Sequence, residues 1–179
     1  ALRSTSNSAG GDGWFKVDNF RIEKVGYTAD DALSVLAHYV NQMNQYIENE
    51  DLMSKVIYDL VENKVEELGE YDESNSQAEI NAAILLAKDL LVAMDRSVKL
   101  YAKLGQALAE ADDNLSIYGD LPGAGEYSDV MMEVLDKYEY GEYTDDEIPG
   151  VIAMLEEALE TCKKSEILVG KDITYIIKN

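Results

Sequence analysis

The stretch Ser76-Gln77-Ala78-Glu79-Ile80-Asn81-Ala82-Ala83-Ile84-Leu85-Leu86-Ala87-Lys88, with the run behind it as far as Asp112, decides the fold. Ser76 and Glu79 have the spacing of a capping box, in which the hydroxyl and the carboxylate each satisfy a free backbone N–H. Ile80, Ile84, Ala87, Leu91, Met94, Val98, Tyr101, Leu104 and Leu108 follow in steps of three and four, which is one face of an α-helix. No proline interrupts the run, and Gly105 is its only glycine. At a rise of about 1.5 Å per residue the predicted helix is about 50 Å long. Lys88, Asp89, Asp95, Arg96 and Lys99 in its middle exclude a membrane span. A pattern of this length belongs to a coiled coil or a helical repeat. Ile84, Leu85, Leu86, Leu90, Leu91 and Val92 make its first half apolar over most of its girth, so two other helices are expected to cover it.

Toward the N-terminus, Glu70–Asn75 is a short loop, and Gly69 is placed to end a preceding helix in a left-handed cap. That helix is read from Leu52, Val56, Leu60 and Val65. A polar break at Glu48–Asp51 separates it from an earlier helix, capped by Thr28, with Leu33, Leu36, Val40, Met43 and Ile47 as its stripe. Connections this short imply antiparallel neighbours. Before Gly26, Phe20 and Ile22 alternate with Arg21 and Glu23 in the period of a half-buried strand over Trp14–Val25. Residues 1–13 read as a Gly-broken loop.

Toward the C-terminus, Asn114–Gly125 reads as an Ω-like loop. A fourth helix is predicted from Ser128, with Val130, Met131, Val134, Leu135 and Tyr138 inward and Gly141 at its end. Thr144-Asp145-Asp146-Glu147 is a second capping box. Behind it Ile148, Val151, Ile152, Leu155, Ala158, Leu159 and Cys162 form the stripe of a fifth helix, with Pro149 in its first turn, where proline costs least. Ile167–Val169 and Ile173–Ile177 return to strand character. The two flanking β segments are expected to pair with each other or with a neighbouring molecule, because unpaired apolar strands recruit partners.

The punctuation repeats. Gly-Glu-Tyr stands at 69–71, 125–127 and 141–143, and the first and last copies each precede a capped helix. Aligning those two sets Ile80 on Ile148, Ile84 on Ile152, Ala87 on Leu155 and Leu91 on Leu159. The fold class expected is therefore mainly α: two fused antiparallel three-helix bundles sharing one long central helix, with short β segments at both termini. The divisions are residues 1–26 (end of a preceding β-sandwich), 27–95 (first helical module), 96–165 (second helical module) and 166–179 (start of a following β-sandwich).

Composition narrows the function. With 46% hydrophobic and 28% charged residues, this chain of 179 residues is a folded, soluble type. Fifteen basic residues against 36 acidic give a net charge of −21, which argues against nucleic acid or an anionic membrane as partner. Mimicry of DNA is the sharper reading of that charge, but the acids are dispersed along outer helix faces. Cys162 is the only cysteine, expected in the core, and His38 the only histidine. Histidine metal clusters and Ser-His-Asp or Cys-His catalysis have almost nothing to be built from. A chain beginning Ala1-Leu2-Arg3 reads as a piece of something longer.

The Tyr-containing loop, the polar helix start and the run Glu79–Lys88 resemble the tandem three-helix modules called "Found In Various Architectures", over about residues 28–164. Trp14–Val25, with Asp18-Asn19-Phe20-Arg21 at its centre, resembles the closing strand of a galactose-binding-like β-sandwich, and Gly170–Asn179 the opening strand of the next. This resemblance implies an origin in large secreted or surface proteins of gut bacteria that handle glycans. It also implies a structural-calcium role for Asp18.

Twelve tyrosines against two phenylalanines raise the question of an aromatic sugar platform. Tyr138, Tyr140 and Tyr143 around one helix turn are the candidate. The competing reading makes Tyr143 a hydrophobic staple on Ile148, and Tyr127 one on Met132. Asp112, Asp113 and Asp120 are a candidate calcium set, since hard cations take oxygen ligands, although the spacing is not that of an EF-hand. A glycosidase needs two facing acids in a cleft. The acid groups Glu110/Asp112/Asp113 and Asp145/Asp146/Glu147 read better as solvated helix ends, so no catalytic residue and no cofactor is assigned. The expectation is a non-catalytic spacer or scaffold module of a multidomain extracellular or cell-surface protein, partnered by neighbouring domains of its parent chain. The alternative is an adhesin-like binding module for a protein or glycan ligand.

Overall fold

The computed structural model describes residues 29–49 and 52–178, with side chains described as far as residue 165. The described residues form five helices: α1 (Ala29–Glu48), α2 (Lys55–Gly69), α3 (Gln77–Tyr118), α4 (Ala124–Glu139) and α5 (Ile148–Lys178). No helix among the described residues is long and apolar enough to cross a membrane. The strand expected at Trp14–Val25, Asp18 and the Thr28 cap lie outside the described residues.

α3 is a single helix of 42 residues, about 63 Å long, and it contacts each of the other four. Its start is the reciprocal capping box: Glu79 N–H donates to Ser76 Oγ at 3.3 Å, and Ser76 N–H to Glu79 Oε2 at 2.7 Å. Those hydrogen bonds hold the Glu79 carboxyl below its ordinary range. A depressed acid pKa contributes stability that is present above the unfolded value and is lost as pH falls through the folded one. Ser76→Ala should therefore cost about 1 kcal/mol in thermal unfolding at neutral pH, and the deficit should shrink when the measurement is repeated in acid.

Two apolar clusters are strung along α3. The first joins Leu36, Val40 and Met43 of α1, Val61 and Leu68 of α2, and Ile80, Ala87 and Met94 of α3. The second joins Tyr101, Leu104 and Leu108 of α3 to Tyr127, Met131 and Val134 of α4 and Ile148, Leu155 and Cys162 of α5. α1 and α2 contact α3 and each other, as do α4 and α5, and among the described residues no backbone contact runs directly between helices of the two pairs. Cys162 is buried as expected.

Several elements differ from expectation. α3 runs on to Tyr118 through the segment read as a loop, because Leu115 and Tyr118 continue its stripe. Asn114 and Ser116, which otherwise favour turns, bond back to the carbonyls of Glu110 and Asp112. α4 accordingly starts at Ala124, not Ser128. α2 turns a different face inward: Val61 and Leu68 are buried, while Val56 and Leu60 are exposed and Leu52 precedes the helix and packs on the second cluster. Gly69 is the last residue of α2 without a left-handed φ, and Glu70 caps in right-handed geometry. Leu85, Leu86 and Val92 are exposed, so the first half of α3 is covered on one side rather than around its girth.

The segment 166–179, read as strand, is helical through Lys178 as the continuation of α5. Extending a formed helix avoids the cost of nucleation and closes backbone hydrogen bonds within the segment, whereas a strand needs a partner edge. The β-branched run there is a weak propensity that this outweighs.

Candidate functional site

The polar contacts that matter mechanically lie at the midpoint of α3, where the two clusters meet. Ser97 is fully buried in a helix face otherwise lined by apolar residues. Its Oγ accepts from the backbone N–H of Ser54 at 2.9 Å, in the connection between α1 and α2. The next N–H, of Lys55, donates to the Gly141 carbonyl at 2.7 Å, in the turn between α4 and α5. One strip of backbone, Met53–Lys55, thus clasps the middle of α3 and the far turn together.

Gly141 makes that approach possible. It has φ +65°, the left-handed region, and ends α4 in a Schellman pattern: Glu142 N–H donates to the Lys137 carbonyl and Gly141 N–H to that of Tyr138. On the outside of the joint, Arg96 reaches Asp146 at 2.9 Å and Asp145 at 3.7 Å. Arg96 and Asp146 are largely exposed, so this pair is worth well under the buried hydrogen bonds, about 0.2–1 kcal/mol. Asp145 Oδ1 is buried without a hydrogen-bond partner among the described residues, while its other oxygen, Oδ2, faces Arg96.

The three candidate tyrosines do not form one exposed platform. Tyr143 is buried in the second cluster, to which Ile148 also belongs. Tyr138 is half-buried and stacks on Tyr101, with ring centroids 5.8 Å apart. A Cβ on Gly105 would fall 2.5 Å from its hydroxyl, which explains the one glycine inside α3. Only Tyr140 is exposed, at the edge of an open hollow of about 360 Å³ opposite Tyr58. Tyr127 is likewise core and donates to the Ala111 carbonyl, while Met132 is exposed, so those two form no staple.

Tyr101 donates to the Tyr143 carbonyl at 2.7 Å, which pins the α4–α5 turn to α3. Burial pushes its hydroxyl up to about 12, and the Asp145 carboxylate acts in the same direction. A raised tyrosine pKa contributes stability that is complete below the unfolded value, about 10, and is lost as pH rises through the folded one. Burial also raises Tyr127, Tyr138 and Tyr143, so an absorbance titration should show a late-ionising group of tyrosines, Tyr101 among them, titrating together with alkaline unfolding. Tyr101→Phe should reduce that late phase by one tyrosine and cost about 1–3 kcal/mol by orphaning a buried carbonyl.

At the second capping box only half of the reciprocal pair forms. Thr144 N–H and Oγ1–H both donate to Glu147 Oε2, at 2.8 and 2.7 Å. Asp112 and Asp113 are exposed on α3, and Asp120 lies past its end. Among the described residues no group of three or more acidic, His or Cys side chains is gathered to hold a metal. The extra helical turns to Tyr118 separate the acids that a loop would have let converge.

Ser54, Lys55 and Gly141 escaped the sequence reading as a set. The signal was present only in pieces: a serine just before a helix, and the third Gly-Glu-Tyr. Their meeting is tertiary. No protein-family model matches the chain, and neither a curated protein nor a solved structure shows significant similarity to it.

Proposed function

We propose that the chain is a non-catalytic, rigid helical spacer: two three-helix modules fused through α3, holding neighbouring domains of a longer extracellular or cell-surface protein at a fixed separation. The observation that carries this reading is the joint. Ser54 N–H on Ser97 and Lys55 N–H on Gly141 tie both halves to one point of an unbroken helix. A hinge would call for Gly, Ser or Pro in a solvated linker. Here the crossing point is buried at Met53, Ser54 and Ser97, and the Ser54 and Lys55 N–H groups both have acceptors. The charge of −21 suits a part that must stay soluble beside its neighbours.

Spin labels on cysteines introduced at Glu66 in α2 and Asp129 in α4 test this directly. Both positions are exposed and far along their helices from the joint, and Cys162, being 1% exposed, stays unlabelled. The spacer reading expects one narrow distance distribution. A broad or two-peaked distribution sinks it.

A further inference from the structure

The lining of the groove between α1 and α3 differs from the rest of the surface. Along α1, Gln42, Gln45 and Asn49 follow one another at about 4.5–6 Å along the axis, beside Tyr39 and Tyr46. Across from them α3 supplies Lys88, Leu91, Val92 and Asp95. The groove is open and holds about 460 Å³, within the range of small-ligand sites.

Its amides are uncommitted. Elsewhere Asn63, Gln77, Gln106 and Asn114 each donate to a residue of their own helix. The side chains of Gln42, Gln45 and Asn49 make no hydrogen bond among the described residues. Each offers two donors and an acceptor to whatever enters. Tyr39 and Tyr46 pack against the first cluster and so present fixed rings, and Val92, 62% exposed, adds an apolar edge.

The chemistry selects the ligand. An anion would meet one lysine on a chain of net charge −21. A cation would meet only Asp95, whose carboxylate is engaged by Lys99 at 2.6 Å. A wholly apolar ligand would strip water from three amides and give nothing back. An amphipathic peptide helix, the natural occupant of a groove between two helices, would set its apolar face against the amides of Gln42, Gln45 and Asn49 and leave them unsatisfied. What fits is a neutral chain that alternates hydroxyls with apolar C–H faces. We propose that the α1–α3 groove is a binding site for a neutral oligosaccharide, hydrogen-bonded by Gln42, Gln45 and Asn49 and lying against Tyr39 and Tyr46. The site is separate from the joint and does not depend on the spacer reading.

Amide-resolved NMR of the full chain tests it, with cellohexaose, maltohexaose and mannohexaose as probes and a sulfated heparin hexasaccharide and a neutral Gly-Pro peptide as comparators. The side-chain NH₂ signals of Gln42, Gln45 and Asn49 should shift saturably with at least one neutral sugar. Gln45→Ala and Asn49→Ala should each weaken that binding about fivefold, the worth of one hydrogen bond, without moving the unfolding midpoint. Lys103→Ala, at an exposed position of α3 outside the groove, should leave it unchanged. The proposal is overturned if no neutral sugar gives a saturable shift, if the sulfated sugar or the peptide binds more tightly, or if the amide variants bind like wild type.

Discussion

Ser97→Pro should uncouple the two halves of the molecule while leaving each apolar cluster assembled. Three losses coincide at this position. Proline removes a helical hydrogen bond and clashes with the carbonyl one turn back, costing about 3 kcal/mol or more. It also deletes the Oγ that accepts from the buried Ser54 N–H, and an orphaned buried donor costs about 1–3 kcal/mol. Together these approach the whole stability of a marginal domain. Chemical unfolding should change from one transition to two, and small-angle scattering should pass from a single-conformer profile to one that needs a two-body ensemble. Ser97→Ala separates the contributions, since it removes only the acceptor and should cost the smaller amount with the shape retained. A Ser97→Pro protein that unfolds in one transition at the wild-type midpoint would remove the joint from the account.

The parts of this fold that were legible in the sequence are those governed by local periodicity. Ser76, Glu79 and the nine-member stripe specify α3 because a capping box and a 3.6-residue repeat need no knowledge of what packs against them. The division between the two helical modules, placed at 95/96, falls beside Ser97. Contacts between distant segments were not legible. Leu52 belongs by sequence to the helix it precedes, yet it packs on the second cluster, and that crossing rotates the face α2 turns inward. Leu85, Leu86 and Val92 look like core in a hydrophobicity count and are exposed, because the helices covering α3 lie on one side of it. Tyr138 and Tyr143 share with Tyr140 only a place in the chain; burial divides them, and burial is tertiary. The groove amides had a signal that went unread: Tyr39, Gln42, Tyr46 and Asn49 form a second stripe at helical spacing beside the apolar one. A polar stripe at that spacing is usually a solvated face. The neighbouring helix that turns it into a groove comes 40 residues later in the chain, in α3.

Gly141→Ala should be as damaging as a core truncation, although the residue carries no side chain. At φ +65° an alanine pays the left-handed penalty, about 1–3 kcal/mol for a non-glycine residue. Its Cβ would stand 2.6 Å from the Met53 carbonyl oxygen and 3.2 Å from the Lys55 nitrogen, and both are backbone atoms that cannot rotate aside. Relieving that overlap means lifting Met53–Lys55 away from the turn, which stretches the Lys55 N–H bond to the Gly141 carbonyl and loosens Ser54 from Ser97. The expected loss is about 2–6 kcal/mol in urea unfolding, the strain plus one orphaned buried donor. Gly69→Ala and Gly125→Ala supply the contrast within the same chain. Both glycines are helical, neither has a positive φ, and a Cβ at either would meet nothing within 4 Å. Those two substitutions should be neutral or stabilise by about 0.4–1 kcal/mol, through the lower entropy of the unfolded chain. Amide shifts should localise the Gly141→Ala effect to Met53–Lys55 and Ser97, with the far ends of α2 and α4 undisturbed. If all three alanine variants have the same stability, or if the shifts at Ser97 do not move, the two halves are not held by this close approach of backbones and α3 is their only connection at the joint.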